Sequence, residues 1–417
     1  MIPELVSYIV RREGKKFRRL TPDVDLSLIA ADRMGVPRDG ISLYIHIPFC
    51  RSLCPFCCFN RYLFEEGAAR RYFTDLRREL DFYLDRGFTF SSVYFGGGTP
   101  TILMDELGCF ADHLRKVLPV REISLETTPR ELTDSTIARL QEIGVNRLSV
   151  GVQSFEDPVL KTMGRINGPA DEVKKRLLAA QGKFDTVNVD FVFNFPSQTI
   201  EQFKSDVKAF KDMGMDQATF YPLMASPHKR DAMERKFNRV DNSRERQFYD
   251  IILKELYHGG YTASTAWCYS RGDRMIDEYI IEYDDYVGIG AGSVSIVGDH
   301  FYVNSFSLDR YHEFIQSERL PVVSWRELSG PESRRYYLLT KIFGMALSTS
   351  GFRKRFGGSL LQKMPVELAF MKAAGIVRSD GDLLRVTEKG MYPVSVMMRD
   401  FFASLNTLRE YCIENQV

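Results

Sequence analysis

Between residues 41 and 223 two hydrophobic periods alternate, and this alternation narrows the fold more than any other feature of the chain. Short runs rich in β-branched and aromatic residues occupy 43–47, 92–95, 122–126, 147–150, 187–193 and 218–223. Between them, 69–86, 106–117, 135–143, 170–182 and 200–213 carry apolar residues at helical spacing. Strands separated each time by a helix pair in parallel, with the helices covering the sheet. Six such units predict an α/β fold, an open, partial (β/α)6 TIM barrel. In parallel barrels the reactive groups gather where the strands end.

The first strand ends at Pro48, and Cys50, Cys54 and Cys57 follow within one short loop. Thiolates are soft ligands suited to iron–sulfur clusters. Three of them hold three corners of a cubic cluster and leave one iron open for chemistry. A structural zinc ion takes four closed ligands, and the nearest fourth candidate, Cys58, adjoins Cys57 and is poorly placed to share an ion. A partial zinc site and three unrelated buried cysteines stay open as alternatives. Seven cysteines, an odd number, argue against a disulfide scaffold.

The later strand ends carry polar groups in step with this loop. Gly96-Gly97-Gly98-Thr99 follows the second strand; glycines there let the backbone approach a ligand closely. Glu126 closes the third strand, and a carboxylate aimed into a barrel mouth is costly unless it binds something. Arg147-Leu148-Ser149-Val150-Gly151-Val152-Gln153-Ser154-Phe155 forms the fourth strand end, followed by Met163-Gly164-Arg165. A guanidinium suits a carboxylate through paired hydrogen bonds. Asp190 sits inside a Val/Phe-rich strand and needs a partner there.

The spacing Cys-x3-Cys-x2-Cys resembles the cluster loop of the radical S-adenosylmethionine (SAM) superfamily. The Tyr-Ile-His-Ile-Pro-Phe-Cys stretch around it resembles the HemN-type branch, which holds oxygen-independent coproporphyrinogen III oxidases, haem chaperones and class C methyltransferases. The resemblance implies a [4Fe-4S] cluster on Cys50, Cys54 and Cys57 with SAM on the open iron. It further implies cofactor contacts from Tyr44, Phe56, Gly97, Gly98, Thr99, Glu126, Gln153, Arg165 and Asp190. Asn167 stands where many members carry histidine, and Asn194 replaces a usual glycine. A one-electron reduction of SAM, from reduced flavodoxin or ferredoxin, gives a 5′-deoxyadenosyl radical that abstracts a hydrogen atom.

Beyond the barrel, Gly288, Gly290, Gly292 and Ser293 resemble the region that in this branch lies by a second SAM or the substrate. Trp267, Cys268 and Tyr269 are candidates to line a flat apolar pocket, with Cys268 as a hydrogen-atom donor. The expected units are an N-terminal extension (1–40), the barrel (41–225), its extension (226–320) and a winged-helix-like C-terminal domain (321–417). A basic run at 11–19 reads as solvated surface, and 224–240 as a loop over the site.

The net charge of +1 gives no global pull toward nucleic acid, and no apolar run approaches a membrane span. A cytoplasmic, oxygen-sensitive protein is expected. Three functions compete. Class C methyl transfer to an sp2 carbon of a flat tetrapyrrole, quinone or other aromatic, using two SAM molecules, is favoured. The chain lacks the oxidases' tyrosine-rich N-terminal segment and reads Cys-Phe-Asn-Arg-Tyr after the cluster loop. Coproporphyrinogen-type decarboxylation is the first alternative. A haem-carrying chaperone is the second, although its His-Asn-x-x-Tyr-Trp stretch is replaced at 277–283.

Overall fold

The computed structural model describes residues 10–11, 25–37, 39–118, 120, 122–224, 230, 231, 234, 235, 237, 241–272, 284–415 and 417. Most of the basic run at 11–19, most of the 224–240 loop and the 277–283 stretch lie outside the described residues.

The six expected strands form: β1 (Ile41–Ile47), β2 (Phe90–Gly97), β3 (Glu122–Thr127), β4 (Arg147–Gln153), β5 (Thr186–Phe193) and β6 (Gln217–Pro222). They pair in sequence order, all parallel. Every residue of β1 is buried, as befits a central strand covered on both faces. Five helices return the chain between them: α1 (Glu66–Asp85), α2 (Met104–Val117), α3 (Asp134–Glu142), α4 (Ala170–Ala180) and α5 (Ile200–Met213). Helix α5 shows why the sequence folds this way locally. Thr199 and Gln202 cap its start reciprocally, and Gly214 ends it in the left-handed conformation.

The sheet continues past the barrel strands on both sides. Beyond β6 lie β7 (Thr262–Ala263) and β8 (Cys268–Ser270), with β8 antiparallel to β6. Against β1 lies β9 (Tyr286–Ile289), a seventh parallel neighbour, followed by β10 (Val294–Val297), β11 (His300–Asn304) and β12 (Val322–Glu327) as an antiparallel meander. The order is β12-β11-β10-β9-β1-β2-β3-β4-β5-β6-β8-β7. The sheet therefore runs past residue 320, into the stretch expected as the C-terminal domain, because Val322–Glu327 pairs with β11.

The remaining residues build a three-stranded antiparallel sheet, β13 (Ala346–Ser348), β14 (Val377–Asp380) and β15 (Leu383–Val386), among helices. The last helix, Glu388–Glu414, carries Pro393 within it and starts where the Thr387 side chain accepts from Gly390 N and caps the first turn. It docks by polar contacts at its core-facing side. Arg399 Nη1 donates to Glu245 Oε2 at 2.6 Å and Trp267 Nε1 to Ser395 Oγ at 2.8 Å. Both Arg399 and Glu245 are buried, so the ion pair is protected from solvent screening. No described helix is long and apolar enough to cross a membrane.

Candidate functional site

Period-two alternation puts one set of strand side chains into the barrel mouth, and a cavity of about 340 Å³ opens there. That volume lies within the range of small-molecule sites. Cys50, Cys54 and Cys57 border it, together with Tyr44, Phe56, Gly97, Gly98 and Thr99. Glu126, Gln153, Arg165 and Asp190 join them from β3, β4, the following loop and β5. The cavity continues past this row to Gly292, Ser293, Trp267, Tyr286 and the last helix.

All seven cysteines are outside disulfides. Thr99 Oγ1 lies 3.8 Å from Cys50 Sγ, and Arg165 Nη1 lies 3.8 Å from Cys54 Sγ. Both contacts offer a hydrogen-bond donor to sulfur, a neutral hydroxyl at Cys50 and a guanidinium at Cys54, and both favour thiolates. Burial, opposed by Thr99, raises the Cys50 thiol's pKa; a bound cation reverses that tendency. Cys58 directs its thiol to the carbonyls of Phe56 (3.6 Å) and Met224 (3.4 Å). Among the described residues, no group of three or more His, Cys, Asp and Glu side chains, the three cysteines included, is drawn together closely enough to hold a metal ion.

The carboxylates in the row are held by neutral donors. Glu126 accepts from Tyr94 OH (3.0 Å) and Gly97 N (3.1 Å). Asp190 accepts from Ser149 OH (2.9 Å) and Asn188 Nδ2 (2.7 Å). The Arg165 guanidinium is set by the Gly151 carbonyl and by Asn167 Oδ1 at 3.1 Å, while Asn167 Nδ2 is anchored on the Val152 carbonyl at 2.6 Å. Asn167 thus positions Arg165. Gln153 sits at a register shift with φ 73°, a strained value for a residue other than glycine.

The glycines after β2 act differently from expectation. Their N–H groups are committed within the protein: Gly97 N to Glu126, Gly98 N to the Ile47 carbonyl, Thr99 N to the Phe49 carbonyl. A Cβ on Gly98 would meet the Phe49 carbonyl oxygen at 2.6 Å. Glycine is needed here to seat the strand end against the cysteine loop. Asn194 is explained as well. It holds φ 60°, a region asparagine tolerates, and its amide donates to the Asp241 carbonyl at 3.1 Å, away from the cavity lining.

Cys268 does not reach the cavity. It is fully buried in β8, whereas Trp267, just ahead of that strand, borders the cavity. Tyr269 points into the core, where its hydroxyl meets Tyr249 OH at 3.3 Å. Cys268 as a hydrogen donor is therefore withdrawn. Gly288 and Gly290 also lie behind the lining: Gly288 N donates to Ser295 Oγ and Gly290 N to Glu79 Oε2. Of that glycine-rich segment, Gly292 and Ser293 border the cavity.

A buried network missed by sequence reasoning joins the two ends of the site. His46 Nδ1 lies 2.9 Å from Tyr44 OH and Nε2 lies 3.0 Å from the Asn60 carbonyl. Burial lowers its pKa to about 4, so the ring is neutral. The carbonyl requires a proton on Nε2, and Nδ1 accepts from Tyr44. Asn60 Nδ2 then donates to the carbonyls of Ala291 and Phe306, each at 3.0 Å. The tract after the cluster loop is thereby tied to the glycine-rich segment.

Three thiols, a carboxylate row and an arginine border the mouth of a parallel barrel, and the radical SAM superfamily profile matches residues 44–236. The chain is 26% identical to the haem chaperone HemW of Bacillus subtilis, over 84% of this chain and 96% of that protein. It is 25% identical to the oxygen-independent coproporphyrinogen III oxidase of Pseudomonas aeruginosa, over 88% and 87%. The crystal structure of coproporphyrinogen III oxidase (HemN) from Escherichia coli superposes with a TM-score of 0.77 at 21% identity, covering 92% of this chain and 94% of that one. Along most of its length the chain is thus similar to HemN-type proteins of the radical SAM superfamily.

Proposed function

We propose that this chain is a radical SAM enzyme of porphyrinogen metabolism that converts a propionate side chain to a vinyl group: a hydrogen atom passes to the 5′-deoxyadenosyl radical, carbon dioxide leaves, and the remaining electron goes to an external one-electron acceptor. One observation carries the reading: a single cavity runs from the three thiols, past the carboxylate row, to a wall of aromatic side chains beyond it. Methyl transfer, favoured on sequence, gives way because the relatives just described are named for porphyrinogen oxidation and haem delivery.

In this reading Cys50, Cys54 and Cys57 hold a [4Fe-4S] cluster. The Gly97–Thr99 segment, Glu126, Gln153, Arg165 and Asp190 hold SAM. When bound and reduced by a flavodoxin or ferredoxin, these groups supply a 5′-deoxyadenosyl radical. The chain's own share is binding and exclusion. Arg165, fixed by Asn167 and the Gly151 carbonyl, presents a set cation to a carboxylate. Glu126 and Asp190 accept from amino and hydroxyl groups. Tyr94, Trp267, Tyr286 and Phe402 wall the chamber and keep water from the reacting carbon, and fixed positioning of this kind supplies much of a radical enzyme's control. Ser293 and Gly292 border the space for the substrate or a second SAM.

The test is anaerobic. Reconstituted, reduced protein is given coproporphyrinogen III and SAM bearing a deuterated methyl group. The reading requires released carbon dioxide and unlabelled 5′-deoxyadenosine in step with it. Deuterium in the 5′-deoxyadenosine restores methyl transfer. Tight haem binding with no SAM cleavage supports the chaperone reading, which the match over 96% of HemW favours.

A further inference from the structure

The cations around the cavity are not equivalent. Of the arginines that border it, Arg51 is paired with Glu131 at 2.7 Å, Arg61 donates to the Cys57 carbonyl at 3.1 Å, Arg130 is exposed, and Arg165 is folded onto the Gly151 carbonyl and Asn167. Arg409, on the last helix, is held differently. Its Nη1 donates to Asn406 Oδ1 at 2.9 Å, and its guanidinium lies 4.9 Å from the Phe59 ring centroid. Among the described residues no carboxylate pairs with it. A guanidinium has five donors, so most of this one's capacity is unused at the wall of an apolar chamber.

Two further observations place this charge toward a ligand. Phe402, Leu405, Asn406 and Arg409 all border the cavity and recur at helical spacing, which puts Arg409 on the helix face turned to the chamber. Its positive charge acts on Tyr44, His46 and Tyr286, which border the same space. Beyond the Phe59-Asn60 segment lies Ser293, 1% exposed, whose hydroxyl has no hydrogen-bond partner in the protein. Buried hydroxyls are almost always paired, so a lone one in a cavity wall marks a place where a ligand supplies the partner.

We propose that Arg409 is the group that reads the substrate's carboxylate: it takes a propionate of a tetrapyrrole whose ring lies against the aromatic wall. This rests on the porphyrinogen reading and adds the residue that sets substrate class. Phe59 stacks under the guanidinium and Asn406 fixes its edge, so the fork is oriented before the ligand arrives. A planar fork matches a carboxylate in a way a lysine ammonium does not.

The experiment uses the full-length, reconstituted protein with SAM under anaerobic conditions. The probes are coproporphyrin III, the oxidised ring with free carboxylates, and its tetramethyl ester, both followed by porphyrin fluorescence. Arg409→Gln is expected to weaken binding of the acid by roughly tenfold to a hundredfold, the scale of a hydrogen bond to a charged group. The ester should bind wild type and variant alike, and Arg409→Lys should fall between. Iron content and SAM affinity should match wild type, which guards against a folding defect. Acid binding unchanged in Arg409→Gln, or equal losses for acid and ester, overturns the assignment while the porphyrinogen reading stands. Wild-type protein that binds neither probe overturns both.

Discussion

Glu79 gives the most exacting test of the structure. It sits in α1, wholly buried, and accepts from Gly290 N (2.7 Å), Tyr311 OH (2.6 Å) and Asn304 Nδ2 (2.6 Å). Burial outweighs these donors and raises its pKa from the usual 4.5 to about 7. Between those values the folded protein keeps a proton that the unfolded chain has lost. Stability from this group is therefore complete below about pH 4.5, falls as pH rises toward 7, and is flat above. At 1.36 kcal/mol per tenfold in proton affinity, the loss is about 3 kcal/mol. Glu79→Gln removes the titration. Its oxygen can still serve Gly290 and Tyr311, and its amide can face Asn304, whose buried Oδ1 otherwise has no partner. The assay is urea unfolding of wild type and Glu79→Gln at several pH values from 4.5 to 8. The difference between the two curves should shrink or reverse on the acid side and level off above pH 7. A difference independent of pH would show that Glu79 does not titrate in this window, and the burial argument would fail.

Three further outcomes are expected. Cys54→Ala should abolish the iron–sulfur absorbance after reconstitution and with it SAM cleavage; an intact cluster spectrum refutes the ligand set. Asp190→Ala should weaken SAM binding by roughly tenfold to a hundredfold, the cost of a charged acceptor, with iron content near wild type, as read by calorimetry and iron assay. Loss of iron there would place Asp190 at the cluster instead. Gly98→Ala should give poorly folded protein or lose the cluster, because its Cβ meets backbone at 2.6 Å rather than a flexible side chain; normal iron loading would refute the close approach.

The barrel was legible because its signals are local. β1 to β6 and α1 to α5 fall within a few residues of the expected spans, since period and caps act over one element. The site row was legible for the same reason: each residue follows a strand end. What stayed hidden depends on distant pairing or on side-chain parity. Nothing near 286 announces that Tyr286–Ile289 returns beside β1. Trp267 and Cys268 are neighbours in sequence, and only the register of Cys268 with Thr219 decides which faces the chamber. Glu79 reads as one more carboxylate on a charged helix, and Arg409 as a surface arginine near the end of the chain.

These hidden residues belong to the same stretch of structure, and that has a mechanical consequence. The cysteine loop leaves β1, and its far end is clamped by Asn60 to the carbonyls of Ala291 and Phe306. The Gly290 turn is clamped in turn by Glu79, and Ala291 N donates to Tyr72 OH, which donates to the His46 carbonyl in β1. The chain thus closes a ring of hydrogen bonds from β1 through the glycine-rich segment and back to β1. A Cβ on Gly290 would meet Tyr72 OH at 2.4 Å and the His46 carbonyl at 2.6 Å, so the ring tolerates no side chain at that point. The wall that holds the three thiols and the wall that ends in Ser293 are therefore one rigid body. A radical generated at one end of such a body meets a substrate held at the other with little freedom in their separation, and this rigidity is how the chain can direct a reactive species to one carbon.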